Sequence, residues 1–222
     1  LEKVRLLIVD DQVFFTELLW STLKDEVGID VVGVAHDGDT AIQLARETLP
    51  DAVLMDIELP GTAEVVNGIE AGKRIKRERP QTGIVILSMH NDRRYLASLP
   101  LEESLGWSYL LKQSVINIDM LVHAIKGSST GMSVVDPAVL AKLRPNPGSA
   151  LAELRPSLRR VLSLIAQGFS NAAIAERLSL TERTVEAYIS NIYQALDVSS
   201  ERDLHARVRA TLIFLRDSQD HG

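Results

Sequence analysis

At four points in the first half of this 222-residue chain, apolar runs are interrupted by five side chains that can do chemistry. Asp10-Asp11 follow Leu6-Leu7-Ile8-Val9, Asp56 follows Val53-Leu54-Met55, Ser88 follows Ile84-Val85-Ile86-Leu87, and Lys112 follows Tyr109-Leu110-Leu111. Three carboxylates brought together repel unless a cation lies among them, and hard oxygen donors with positions left open to water suit Mg²⁺. A carboxylate is also a competent nucleophile toward phosphorus. The charge that a phosphoryl group adds then needs a hydroxyl donor and a cation, which Ser88 and Lys112 provide. Taken singly, an acid at a strand end caps the next helix and a lone lysine is solvated; the signal lies in all of them ending apolar runs together.

The elements that must position these residues follow from periodicity. Short apolar runs alternate with helical-period segments, the pattern of a parallel sheet flanked by helices. Strands are predicted at 5–9, 30–35, 52–55, 83–88 and 107–111, and helical spacing recurs in Ala41, Leu44, Ala45 and in Ile69, Ala71, Ile75. The chemistry-bearing residues then all sit at carboxyl ends of parallel strands, where open α/β sheets hold their sites. A helix from about Ile116 to Lys126 closes this part, and a Ser-, Gly- and Pro-rich stretch reads as a linker interrupted by a short helix that Asp136-Pro137 begins. Beyond Glu153 the strand signals vanish. Leu158, Val161, Leu162 and Ile165 mark a helix that stops at Gly168, a second runs from Asn171 to Leu178, Thr181 caps a third, and a fourth spans about 202–216. The expected boundaries are 1–127, a linker at 128–153, and a small all-α domain at 154–222.

Composition limits the classes. The chain has 45% hydrophobic and 24% charged residues, an ordinary globular balance. It has no cysteine, which excludes thiol nucleophiles, thiolate zinc sites and disulfides and fits a reducing compartment. No apolar run approaches the roughly 20 residues of a membrane span. Leu1-Glu2-Lys3-Val4-Arg5 lacks the apolar centre of a signal peptide, so a cytoplasmic protein without membrane contact is expected. Residues 1–127 carry 13 Lys+Arg against 20 Asp+Glu, and residues 128–222 carry 11 against 10. Only the second part can meet a phosphate backbone, and only through a local basic patch.

The segments "LLIVDDQ", "LMDIELPG", "VILSMH" and "YLLKQS" resemble the receiver domain of bacterial two-component response regulators over nearly all of residues 3–126. The resemblance implies a five-stranded, doubly wound α/β fold with Asp56 as phosphoacceptor and Asp10, Asp11 and Asp56 as carboxylates for Mg²⁺, Glu58 adding a backbone carbonyl. It implies Ser88 and Tyr109 as switch residues and Lys112 as the phosphate-binding lysine. Three features depart from the family pattern: a longer loop at 62–66, Pro100 shortening the fourth helix with a lengthened loop at 98–103, and Gln113 where many receivers have proline. "DIELPGT" also echoes the DxDGT signature of haloacid dehalogenase-type phosphatases, but Leu59-Pro60 intervenes and Asp10-Asp11 would have no role.

The stretch "VLSLIAQGFSNAAIAERLSLTERTVEAYISNIYQALDV" is similar to the helix-turn-helix of LuxR-type transcription regulators, which makes the whole chain resemble a response regulator of the NarL/FixJ type. Thr181 then begins the helix that enters a DNA major groove. Val185, Ile189 and Ile192 are expected in its core. Arg183, Asn191, Arg177, Thr184 and Tyr188 are the candidate DNA contacts, with Arg159 and Arg160 as weaker ones. The last helix carries Leu204, Val208, Leu212 and Leu215 along one stripe; packing on its own domain is expected to account for most of it, with Val208 and Leu212 meeting a second copy as well. The implied function is transcriptional control over double-stranded promoter DNA, switched by phosphoryl transfer from a sensor histidine kinase to Asp56 with dimerisation on activation. No enzymatic activity is expected beyond self-phosphorylation and dephosphorylation. The alternatives are a phosphorylation-independent DNA-binding regulator controlled at the receiver face, and an interaction protein that never binds DNA.

Overall fold

Val4–Val9 (β1), Ile29–Ala35 (β2), Ala52–Asp56 (β3), Gly83–Ser88 (β4) and Trp107–Leu111 (β5) form one sheet in the order β2-β1-β3-β4-β5, every pairing parallel. These are the strands expected from the sequence, to within a residue at the ends. The computed structural model describes residues 3–60, 67–89, 105–198 and 203–219. The expectations for the loops at 62–66 and 98–103 and for a shortened fourth helix lie outside the described residues. Every residue of β3, β4 and β5 is buried, which is why they read as unbroken apolar runs rather than alternating ones.

Helices α1 (Val13–Leu23), α2 (Gly38–Thr48), α3 (Gly68–Glu78) and α4 (Ile118–Ser129) flank the sheet, and a 3-10 turn at Lys112–Ile116 precedes α4. Their starts are written locally. The side chains of Asp37, Asn67 and Asn117 accept from the backbone N–H groups of Thr40, Glu70 and Met120, each satisfying a donor that a helix start leaves open. Helix α4 runs past the expected end at Lys126 because Ser128 is buried, its Oγ 2.7 Å from Ser108 Oγ. Among the described residues no helix is long and apolar enough to cross a membrane.

The chain divides into Leu1–Met132 and Ser133–Gly222, so most of the segment expected as a linker belongs to the second unit. Buried apolar residues explain the correction. Val139, Leu140, Leu143 and Leu151 are buried, on or beside α5 (Pro137–Leu140) and α6 (Ala150–Glu153), and Val135 N–H donates to Ala166 O at 2.9 Å. The remaining helices are α7 (Pro156–Ala166), α8 (Asn171–Leu178), α9 (Glu182–Ala195) and α10 (Asp203–Arg216), as expected within a few residues. Two short strands also appear where an all-helical domain was expected. β6 (Arg144–Pro145) pairs antiparallel with β7 (Ser218–Gln219), and a two-residue strand is too short to show any periodicity.

Candidate functional site

Parallel pairing brings the carboxyl ends of β1, β3, β4 and β5 to one edge of the sheet, and the strand order reverses between β1 and β3, where open α/β sheets leave a crevice. Asp10 directly follows β1, Asp56 is the last residue of β3, Ser88 the last of β4, and Lys112 directly follows β5. Carboxylate oxygens of Asp10, Asp11 and Asp56 lie within 4.8 Å of one another. Asp10 and Asp56 are buried and Asp11 is exposed, so the cluster has one wet side.

Lys112 Nζ stands 2.7 Å from Asp10 Oδ2 and 2.8 Å from Asp56 Oδ2, its side chain 4% exposed. Burial pulls the lysine pKa down, but its contacts with Asp10 and Asp56 and their charges outweigh that and hold it above the ordinary value. Asp10 has its pKa raised, chiefly by burial and further by the Asp56 charge, against the lowering contacts of Lys112 and the Gln12 N–H. Asp10 Oδ2 is buried, with the Lys112 ammonium as its charged neighbour. Three carboxylates gathered around one ammonium leave an excess of negative charge, and this all-oxygen donor set fits a hard divalent cation held by Asp10, Asp11 and Asp56.

Ser88 is buried and pairs in register with Leu111, while Tyr109, on β5, is wholly buried beside Ile86. Glu58 is exposed, and its backbone N–H donates to Asp56 Oδ1 at 3.3 Å. Gly68 opens α3 against Asp56: its N–H donates to Ile57 O at 3.0 Å, and a Cβ on it would fall 1.7 Å from Asp56 O. Only a glycine allows that approach.

Three neighbours of the acidic cluster were not foreseen. Gln12 N–H donates to Asp10 Oδ1 at 3.0 Å, a local turn that an Asp two residues upstream could have signalled. His36 Nδ1 lies 2.9 Å from Asp10 O, and Phe15 places its ring centroid 5.0 Å from Lys112 Nζ. Nothing local distinguishes those two from ordinary loop and helix residues.

In the second unit, α8 ends at Ser179 with a left-handed φ of 54°, and Thr181 caps α9 by accepting from Thr184 N–H at 3.2 Å. Val185, Ile189 and Ile192 are buried as expected. Arg183 and Asn191 are exposed on α9, together with Glu182 and Glu186, while Thr184 and Tyr188 are half-buried. Arg160 is exposed and Arg159 half-buried. Arg177 is exposed but stacks its guanidinium 3.8 Å from the Phe169 ring centroid. Arg207 holds the start of α8, donating to Asn171 Oδ1 at 2.8 Å and to Phe169 O. Val208 is 5% and Leu212 4% exposed, on a helix that packs against α7, the own-domain packing expected of most of this stripe. The Leu204 side chain lies outside the described ones.

Comparison with known proteins bears on both units. Residues 6–126 match the response regulator receiver domain, and residues 158–208 match the bacterial regulatory proteins of the luxR family. The transcriptional regulatory protein MctR of Rhizobium johnstonii is 32% identical over 99% of this chain and 95% of its own. The transcriptional regulatory protein LiaR of Bacillus subtilis is 36% identical over 88% of this chain and 92% of its own. Among solved structures, the RcsB response regulator of Salmonella typhimurium matches 95% of this chain and 99% of its own at 22% identity, with a TM-score of 0.52, a likeness of fold. A parallel-sheet unit with its acidic cluster at the strand ends, followed by a helix-turn-helix unit, and relatives alike over nearly their whole length, place the chain among the two-component response regulators with a receiver domain and a LuxR-type DNA-binding domain.

Proposed function

We propose that this response regulator accepts a phosphoryl group on Asp56 from a sensor histidine kinase and so controls binding of its LuxR-type domain to promoter DNA, as a homodimer in the cytoplasm. The observation that carries the reading is the buried Lys112 ammonium held between Asp10 and Asp56 inside a three-carboxylate cluster. A lysine serving only to neutralise two acids would leave no reason for Asp11 and for Ser88 at the same strand edge.

In the transfer, a carboxylate oxygen of Asp56 forms a bond to phosphorus while the bond from phosphorus to the donor imidazole nitrogen breaks, that nitrogen keeping the electron pair. Asp10, Asp11 and Asp56, with the Glu58 backbone carbonyl, would hold Mg²⁺, which would supply positive charge against that of the phosphoryl oxygens. Lys112 leaves Asp10 and pairs with one of those oxygens, and the Ser88 hydroxyl donates to another. Tyr109 and Ser88 carry the change away from the site. RcsB dimers bound to two parallel DNAs, from a protein that shares this fold at 23% identity, support dimeric DNA binding as the output. Arg183, Asn191, Arg177, Thr184 and Tyr188 are the proposed contacts.

Incubation with acetyl phosphate followed by intact mass measurement tests the reading. One phosphate is gained by the protein, and none by Asp56→Ala or in the presence of a chelator. A gain that survives in Asp56→Ala overturns the assignment of Asp56, one that survives in chelator overturns that of the metal, and a wild type that gains no phosphate gives way to the phosphorylation-independent reading.

A further inference from the structure

The geometry points to Phe15 as a positioning residue that holds the Lys112 ammonium over its ring face, between Asp10 and Asp56. The inference rests on the phosphoacceptor reading of Asp56 and deepens it.

Lys112 Nζ lies 5.0 Å from the Phe15 ring centroid, within the range at which an ammonium is drawn to the negative face of an aromatic ring. Two carboxylates bind the same ammonium at 2.7 and 2.8 Å. The aromatic face is a third partner, and it carries no charge of its own. With the lysine side chain 4% exposed, little water competes for the ammonium, and the attraction counts for more than it would on a surface.

The ring is also registered to the acidic cluster by backbone. Asp10 Oδ1 accepts from Gln12 N–H at 3.0 Å, and Gln12 O in turn accepts from Phe15 N–H at 2.9 Å and Thr16 N–H at 3.1 Å. One carboxylate therefore binds the lysine through Oδ2 and sets, through Oδ1, the turn from which Phe15 projects. An aliphatic residue at 15 would fill the space but offer the ammonium nothing. When a phosphoryl group on Asp56 draws Lys112 off Asp10, the ring face is the partner that need not be given up. Phe15 thus limits the positions open to the ammonium during transfer.

The test compares full-length protein with Phe15→Leu, which keeps apolar bulk, and Phe15→Tyr, which keeps the aromatic face. In NMR spectra without metal, the Lys112 ε-proton resonances are shifted upfield by the ring in the wild type and in Phe15→Tyr, and the shift is lost in Phe15→Leu. With acetyl phosphate at saturation and Mg²⁺ in excess, Phe15→Leu is phosphorylated about three- to tenfold more slowly, and Phe15→Tyr restores the rate. In a Lys112→Ala background the Phe15→Leu change has no further effect. The inference is overturned if the ε-proton resonances are alike in wild type and Phe15→Leu. It is equally overturned if Phe15→Leu slows phosphorylation as much without Lys112 as with it, since that marks a packing role. Should Phe15→Leu not fold, ring-fluorinated phenylalanine at 15 keeps the shape and weakens the face, and the same comparisons apply. A wild type that takes no phosphate counts against the phosphoacceptor reading, and the NMR comparison still decides whether Phe15 holds Lys112.

Discussion

Lys112 and Asp56 stand 56 residues apart in the chain, and the lysine ammonium lies 2.8 Å from Oδ2 of the carboxylate. Removing one member of a buried, coupled set leaves the others uncompensated. Lys112→Ala is expected to melt lower than wild type in chelator, by an amount on the order of 3 kcal/mol, with Mg²⁺ recovering part of the loss. Once phosphorylated, it should gain less DNA affinity than the wild type does. Thermal unfolding with and without Mg²⁺, and DNA titration of both phosphorylated proteins, check this.

Gly68→Ala should disturb Asp56 from outside the acidic cluster. The added Cβ would fall 1.7 Å from Asp56 O, and a backbone atom cannot swing aside as a side-chain end can. The expected cost is about 1–3 kcal/mol of stability, together with weakened Mg²⁺ binding. Denaturant unfolding and a metal titration of the same variant report the two effects.

Lys76 carries a pH dependence of its own, away from the acidic cluster. It is 5% exposed and donates to Pro80 O at 3.0 Å and Thr82 O at 2.7 Å, and burial lowers its pKa from 10.5 to about 8. Between those two values the unfolded chain binds more protons than the folded one, so stability rises with pH through that window. Below it both states are protonated and the penalty is present in full. The stability of wild type minus that of Lys76→Met should therefore be flat below about pH 7.5 and then rise by up to about 3 kcal/mol toward pH 10.5.

The second unit should be more stable as residues 133–222 than as residues 154–222. The shorter fragment lacks the Val135–Ala166 hydrogen bond, the β6 strand that pairs with β7, and the buried Val139, Leu140 and Leu151. Burial of such side chains contributes about 1.5–3 kcal/mol each, so a difference of about 3 kcal/mol or more is expected in urea unfolding.

DNA binding should show a shallow salt dependence. Glu182 and Glu186 share the exposed face of α9 with Arg183 and Asn191, so few phosphates can be neutralised per monomer, and each contributes a slope of about -0.9 in log K against log salt. Arg183→Ala should lower that slope by about one per monomer if it meets a phosphate, and leave it unchanged while relaxing specificity if it reads a base. Binding to a selected and a random duplex across salt concentrations separates these.

What the sequence by itself determined is whatever repeats locally. The strands around Val53 and Val85 declare themselves as apolar runs because both sheet faces are covered, and Thr181 and Asp136 mark helix starts because a cap bonds within its own turn. Parallel strands must then deliver Asp10, Asp56, Ser88 and Lys112 to one edge, so the membership of the acidic cluster was legible before any coordinate. Only the tertiary structure decided how those groups share charge: that Lys112 contacts both Asp10 and Asp56, and that Phe15 and His36 close around them. It also decided that Ser133 onward belongs to the second unit and that Val208 and Leu212 are covered. Burial and pairing between distant segments depend on which surfaces meet, and no spacing within a segment records that.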